Sequence, residues 1–202
     1  MIRLRPTFKT IDSVNSYEGD CNSLRFYAIT NERKVRAGIT ALMGASINGK
    51  SDVAVAIINK TNRVGIDSRD HYKKSALHFA VMFGSKDVVQ VLLNQKCNVD
   101  IKDKQGWNAL HYAANYKHPD IAELLVLQGK ENVNQSDNYG MTPLIRAAIS
   151  DQPVTVELLL DNGANLYSKD KRRRTAHIWA AHKRHINVLE ILQRHLVIHN
   201  TA

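Results

Sequence analysis

Residues 103–148 read DKQGWNALHYAANYKHPDIAELLVLQGKENVNQSDNYGMTPLIRAA, a segment that states one pattern nearly twice. DKQG at 103–106 returns as DNYG at 137–140, and NALHYAA from Asn108 returns as TPLIRAA from Thr142. Working outward, the same line appears as SALHFAV from Ser75, TALMGAS from Thr40 and TAHIWAA from Thr175. The five starts are 35, 33, 34 and 33 residues apart. Each is followed about 13 positions on by an apolar stretch: VAVAII, VVQVLL, IAELLV, VTVELL and NVLEIL. Asp70, Asp103, Asp137 and Asp170 each stand five residues before a start. Three sub-patterns kept in phase over most of the chain are a repeat, and the repeat sets the architecture.

Local chemistry gives each part of the unit a role. Ser, Thr or Asn opens every unit, and such side chains cap helix N-termini by accepting from exposed backbone N–H groups. Pro143 follows its cap directly, while Pro119 and Pro153 open second apolar stretches. Proline is tolerated in a first helical turn because its missing N–H would be unpaired there. Apolar residues at helical spacing in VVQVLLNQ and VELLLDNG predict a second helix. Asp-x-x-Gly then reads as a turn in which glycine supplies a left-handed backbone. Extra residues near 60–65 and 129–132 fall after second helices, where added length costs little. No unit has two faces to bury, so stability must come from stacking on neighbours, as in an all-α solenoid.

The Asp-x-x-Gly-x-Thr-Pro-Leu-His-x-Ala-Ala pattern, with its 33-residue period, resembles the ankyrin-repeat family over residues 34–202. That resemblance implies five repeats of helix, turn, helix and β-hairpin, at about 35–69, 70–102, 103–136, 137–169 and 170–202. His78 and His111 match the family histidine, and the resemblance implies that they bond to neighbouring turn backbone. Met43, Ile145 and Ile178 stand where it would be, and Lys73 and Arg173 replace the turn glycine. His177 occupies the place of Leu77, Leu110 and Leu144, and Gln193 that of Leu160. Such polar substitutions suit a terminal cap. Residues 1–33 are expected to form an arm and a capping helix, SLRFYAIT from Ser23. Leu196, Val197 and Ile198 are expected to fold back on the last helix or to lead into further chain.

Composition narrows the function classes. With 44% apolar and 23% charged residues, neither disorder nor a fibrous class fits. No apolar run approaches the ~20 residues of a bilayer span, and no apolar core follows the basic residues of the N-terminus as in a secretory signal. Cys21 and Cys97 are too few for a disulfide framework or a four-thiolate zinc site, and Cys97 stands where Ala164 does, as inert packing. A reduced, cytoplasmic protein is the expectation, with the nucleus as an alternative. No nucleophile constellation, Gly-rich phosphate loop or specific metal motif appears, so no enzyme, cofactor or metal is expected. The pairs His182 and His185, and His195 and His199, have helical spacing for a metal, but only Glu190 accompanies them; exposed cap residues are the expectation.

What remains is surface. The resemblance implies a concave face of hairpin tips and first-helix inner sides. The tips place His71, Tyr72 and Lys74; Lys104, Gln105 and Trp107; Asn138, Tyr139 and Met141; and Lys171, Arg172 and Arg174 on it. The helices add Phe79, Met82 and Phe83; Tyr112, Asn115 and Tyr116; Arg146, Ile149 and Ser150; and Trp179, His182 and Lys183. Eight of the chain's 13 aromatic residues fall in this set, a concentration suited to protein recognition. Packing is the competing role for Phe79, Tyr112 and Trp179. Trp107, Tyr72 and Tyr139 are expected to be exposed, so that replacing Trp107 and Tyr116 by Ala costs binding and not stability. The net charge is +9, with residues 170–202 carrying seven Lys/Arg against two acids. The run Lys171 to Arg174, with Lys183 and Arg184, has three readings: a solvated cap, a dock for an acidic partner segment, or a contact for nucleic acid or an anionic surface. A slightly acidic middle, five Lys/Arg against eight acids over 103–169, interrupts any continuous basic stripe. The expectation is a monomeric, non-catalytic protein-interaction module, an adaptor, inhibitor or effector; nucleic-acid or anionic-surface binding through the last repeat is the alternative.

Overall fold

The computed structural model describes residues 38–201, with side chains through Val197. The helix expected from Ser23 lies outside the described residues. Within them, helices come in pairs: α1 (Ala41–Ile47) with α2 (Ser51–Lys60), α3 (Ala76–Met82) with α4 (Lys86–Asn94), and α5 (Ala109–Tyr116) with α6 (Pro119–Leu127). Two further pairs follow, α7 (Pro143–Ile149) with α8 (Pro153–Asp161) and α9 (Ala176–Lys183) with α10 (Ile186–Thr201). First helices pack on first helices and second helices on second helices, giving a two-layer stack. No strand is present among the described residues; the hairpins are turns, here called fingers.

Four of the five predicted caps form, and at the fifth the Ser75 hydroxyl lies on His78 Nδ1 instead. Thr40, Thr142 and Thr175 hydroxyls accept from the N–H three residues on at 3.2, 3.4 and 3.4 Å, and Asn108 Oδ1 does so at 3.1 Å. Each such cap contributes about 1 kcal/mol. Pro119, Pro143 and Pro153 occupy first turns. Buried alanines, Ala45, Ala80, Ala113, Ala147 and Ala180, let the first helices approach closely. The second helices supply a spine at repeat spacing, Ile58, Leu92, Leu125, Leu159 and Leu192, all fully buried.

Polar rungs tie the layers across repeats. On the finger side, His78 Nε2 donates to the Trp107 carbonyl at 3.1 Å, and His111 Nε2 to the Met141 carbonyl at 3.0 Å. Each Nδ1 accepts from the backbone N–H of its own cap residue, Ser75 or Asn108. On the opposite side, Ser85, Gln152 and His185 donate to the carbonyls of Ser46, Ala114 and Ala148. Repeat four has Ile145 at the histidine position and lacks that finger-side rung.

The chain departs from expectation at its far end. Helix α10 runs on without a fold-back, carrying half-buried Leu196 and exposed Val197. The face that a following repeat would cover is not wholly polar: Ile178 is 46% exposed, although Gln193 is exposed as expected of a cap. The insertion at 129–132 also holds a residue whose role spacing did not reveal. Glu131 takes the buried place of Cys97 and Ala164; its Oε1 accepts from the Leu110 N–H at 3.1 Å, and Oε2 has no partner. The carboxyl is pushed up to about 8, chiefly by burial. Cys97 is buried too, and its thiol is pushed up to about 12 by burial and neighbouring carboxylates.

Burial pushes His78 and His111 down to about 4, because removal from water disfavours the charged imidazolium. Their ordinary value is 6.5, so the unfolded chain binds more protons between pH 6.5 and 4. Their contribution is complete above that window and is lost as pH falls through it. Glu131 has the opposite sign: its folded value of about 8 exceeds 4.5, so stability is lost as pH rises between them. In urea titrations the stability gap between wild type and His78→Ile should therefore shrink by about 3 kcal/mol from pH 7 to pH 4. Glu131→Gln, which keeps the acceptor but cannot ionise, should match wild type near pH 5 and exceed it at pH 8.5.

Candidate functional site

The fingers are closed by their aspartates. Asp70 Oδ1 accepts from the Tyr72 and Lys74 N–H groups at 2.9 and 2.7 Å. Asp103 does the same for Gln105 and Trp107, Asp137 for Tyr139 and Met141, and Asp170 for Arg172 and Arg174. Gly106, at φ 81°, sits where a Cβ would lie 2.6 Å from Asn138 Oδ1 of the next finger. Lys73 and Arg173 hold left-handed backbone at φ 63° and 60° without that freedom, a strain of about 1 kcal/mol each. Consecutive fingers are joined by single backbone bonds, from Lys104, Asn138 and Lys171 N–H to the carbonyls of Tyr72, Gln105 and Tyr139.

The second carboxylate oxygen reaches the residue nine positions on, in the first helix. Asp103 Oδ2 accepts from the Tyr112 hydroxyl at 2.6 Å, and Asp137 Oδ2 from Arg146 Nη2 at 2.6 Å. Asp170 Oδ2 accepts from Trp179 Nε1 at 3.1 Å and from Arg174 Nε at 2.9 Å. Burial alone would raise the Asp170 carboxyl, but these donors hold it below the ordinary carboxylate value. In the second repeat the ninth residue is Phe79, which offers no donor, and burial leaves the Asp70 carboxyl raised.

These links align a ladder of rings and cations. Trp107 meets Tyr112 edge-on at 4.9 Å, and Tyr112 stacks on Tyr116 at 6.1 Å. The Arg146 guanidinium covers Trp107 at 4.3 Å, and Arg174 covers Trp179 at 3.7 Å. Lys74 Nζ lies 5.9 Å from the Tyr72 ring and 5.6 Å from the Tyr112 ring, while Lys104 Nζ lies 5.2 Å from Tyr72. Burial lowers the Lys74 ammonium. Contacts of these kinds contribute roughly 0.5–2 kcal/mol each, more when desolvated.

The residues singled out in the sequence therefore divide by depth. Phe79, Met82 and Tyr112 are buried in the core. Tyr72, Lys74, Phe83, Gln105, Asn115, Tyr116, Met141, Ile149, Trp179 and Arg174 are half-buried. Lys104, Tyr139, Lys171, Arg172, His182 and Lys183 are exposed. Trp107 and Tyr72 correct the expectation of exposed rings: both are half-buried, Trp107 packed on the core and covered by Arg146, and Tyr72 flanked by Lys74 and Lys104. The fingertip position of Trp107 placed it beside the next repeat's first helix, a proximity that repeat spacing alone does not express. Tyr139, at 56% exposure, fits the expectation.

Charge is partitioned by depth as well. All four finger aspartates are buried and consumed by their own turns. His71, Lys73, Lys104, Lys171, Arg172 and Arg173 are exposed on the same fingers. Of the exposed carboxylates, Asp52, Asp87, Asp120, Glu123, Asp161 and Glu190 lie on or at the ends of second helices, while Asp100 and Asp151 lie in connecting turns. Among the described residues no cluster of three or more His, Cys, Asp or Glu could hold a metal, and no helix is long and apolar enough to cross a membrane.

Stacked helix pairs with fingers along one edge define a helical-repeat scaffold whose variable side chains line a shared wall. Residues 14–103 and 91–170 match the family model described as ankyrin repeats in three copies. The chain belongs to the ankyrin-repeat family. The match begins within the segment read as arm and capping helix and ends before the fifth pair, where Arg173, His177 and Gln193 depart from the pattern. Ankyrin repeats are generally protein–protein interaction modules and typically have no enzymatic activity, so a protein partner is the family's expectation.

The packing of Trp107 carries a direct test. Trp107→Ala should lower the unfolding free energy by about 2 kcal/mol, whereas Tyr139→Ala should change it by less than about 0.5 kcal/mol. Chemical denaturation of the two variants beside wild type measures both.

Proposed function

We propose that this protein binds an acidic segment of a partner protein along the wall of fingers and first helices, as an adaptor or inhibitor with no chemistry of its own. One observation carries the reading. The fingers keep as many aspartates as repeats two to five require, yet every one is buried by its own turn, while the finger cations face solvent. The accessible rim is therefore far more basic than its composition. Cationic surfaces of this kind raise association rates with acidic partners and select against basic ones. Half-buried Tyr116, Met141 and Ile149 and exposed Tyr139 supply apolar contact area between the charges. The set proposed for contact comprises Tyr72, Lys74, Phe83, Lys104, Gln105, Asn115, Tyr116, Tyr139, Met141, Arg146, Ile149, Lys171, Arg172, Trp179, His182 and Lys183. Phe79, Met82, Trp107, Tyr112 and Arg174 shape the wall from behind. We place the protein in the cytoplasm, as a monomer when free.

The rival reading, nucleic acid or an anionic surface on the last repeat, draws on exposed Lys171, Arg172, Arg173, Lys183 and Arg184. It is disfavoured because base stacking needs open ring faces, and Trp107 and Trp179 are each covered by an arginine of the chain itself. Affinity capture from the native cell, with nuclease treatment, separates the readings. The expected result is a protein retained by wild type and lost from Lys104→Glu, Tyr139→Ala, a variant that should keep its fold. Recovery of the same proteins by both baits, or of nuclease-sensitive material only, would overturn the proposal.

A further inference from the structure

We infer that Arg146 is the anchor of this wall, the residue that receives a partner carboxylate at its centre. The inference rests on the reading of the wall as a dock for an acidic protein segment, and it names the point at which that segment is recognised.

A guanidinium has five N–H donors in a planar fork. Among the described residues Arg146 spends one, from Nη2 to Asp137 Oδ2. Its Nε is enclosed and without a partner, and Nη1 donates to none of the described residues. The side chain is only 15% exposed, with its flat face held on Trp107 at 4.3 Å. A partly desolvated arginine, fixed in direction and using a fifth of its donors, is an incomplete site. With Nε enclosed, the donors left to a partner are those of Nη1 and the second hydrogen of Nη2, an edge that the two oxygens of a carboxylate match.

The neighbouring cations do not share these properties. Arg174 places both Nε and Nη2 on Asp170, so its charge is already matched. Lys74 has no planar fork and is held between rings with its ammonium disfavoured by burial. Lys104 and Lys171 are exposed and suit steering at the rim. The repeat also offers an internal comparison. The position of Arg146 is filled by Phe79, Tyr112 and Trp179 in repeats two, three and five, all of which pack without a charge. Tyr112 bonds its finger aspartate as Arg146 does. A tyrosine would thus satisfy Asp137 without burying a guanidinium, so the fold has no need of arginine there.

That comparison supplies the test. Trp179→Phe leaves Trp107 as the only tryptophan and a reporter directly beneath Arg146. In that background, binding of a glutamate-rich peptide and of its glutamine counterpart is followed by Trp107 emission and by anisotropy of a dye on the peptide. The glutamate peptide should bind and shift Trp107 emission, and the glutamine peptide should not. Arg146→Tyr should unfold at the same or a higher denaturant concentration yet bind at least about tenfold more weakly. Arg146→Lys, which keeps the charge and loses the fork, should lose affinity comparably. Equal binding by wild type and both variants would overturn the anchor while leaving the acidic-partner reading intact. Failure of the glutamate peptide to bind wild type, with or without binding of a single-stranded oligonucleotide, would overturn that reading and the anchor with it.

Discussion

A buried carboxylate that closes its own turn is the interaction from which the rest of this surface follows. One oxygen of each finger aspartate gathers two backbone N–H groups and so fixes the finger's shape. For Asp103, Asp137 and Asp170 the other oxygen reaches a side chain of the following helix and so fixes the finger's direction. Burying a carboxylate is costly unless it is saturated with donors, and here the donors are the elements that must be aligned. Once aligned, each finger lies close enough to pass a backbone N–H to its predecessor. The wall is continuous because every finger closes its turn on its own aspartate, and three of the four carry the bond on into the following helix.

That solution also sets the electrostatics. A saturated, buried carboxylate contributes little at the surface, so the chain's acids and bases sort by depth on the finger side. The basic side chains there include two that the wall itself uses: Arg146 and Arg174 cover tryptophans, tying ring, cation and aspartate into one unit. The two units differ in completeness, since Arg174 is matched by two bonds to Asp170 and Arg146 by one to Asp137. Most exposed acidic side chains lie on the second helices, in the other layer, and leave this imbalance largely unrelieved.

Stability is spread as unevenly as charge. Finger-side histidine rungs link repeats two to three and three to four, and Ile145 leaves the last junction with only the His185 rung on the opposite side. Glu131 burdens the third repeat with a carboxyl that the corresponding Cys97 and Ala164 avoid. In a stack whose members touch only their neighbours, such differences stay local. Each junction can therefore vary without disturbing the wall's register.

The repeat, the helix starts, the turns and the layer order were legible because each depends on residues close in sequence. A threonine three residues from the N–H it caps, a proline in a first turn, or an aspartate and glycine in one turn meet wherever the chain folds locally. The fate of the candidate site was less legible. Trp107 and Arg146 are 39 positions apart and belong to different repeats, so their stacking exists only once the repeats are stacked. Tyr72 and Tyr112 face one lysine for the same reason. Glu131 gave no sign at all, since a charged residue in a loop reads as solvated until tertiary packing closes over it. The sequence by itself determined what each unit is and that the units must stack, because short-range hydrogen bonds and periodic burial are written into neighbouring residues. Tertiary structure alone decided which side chains meet between units, because depth, donor saturation and charge exposure are properties of the assembled stack.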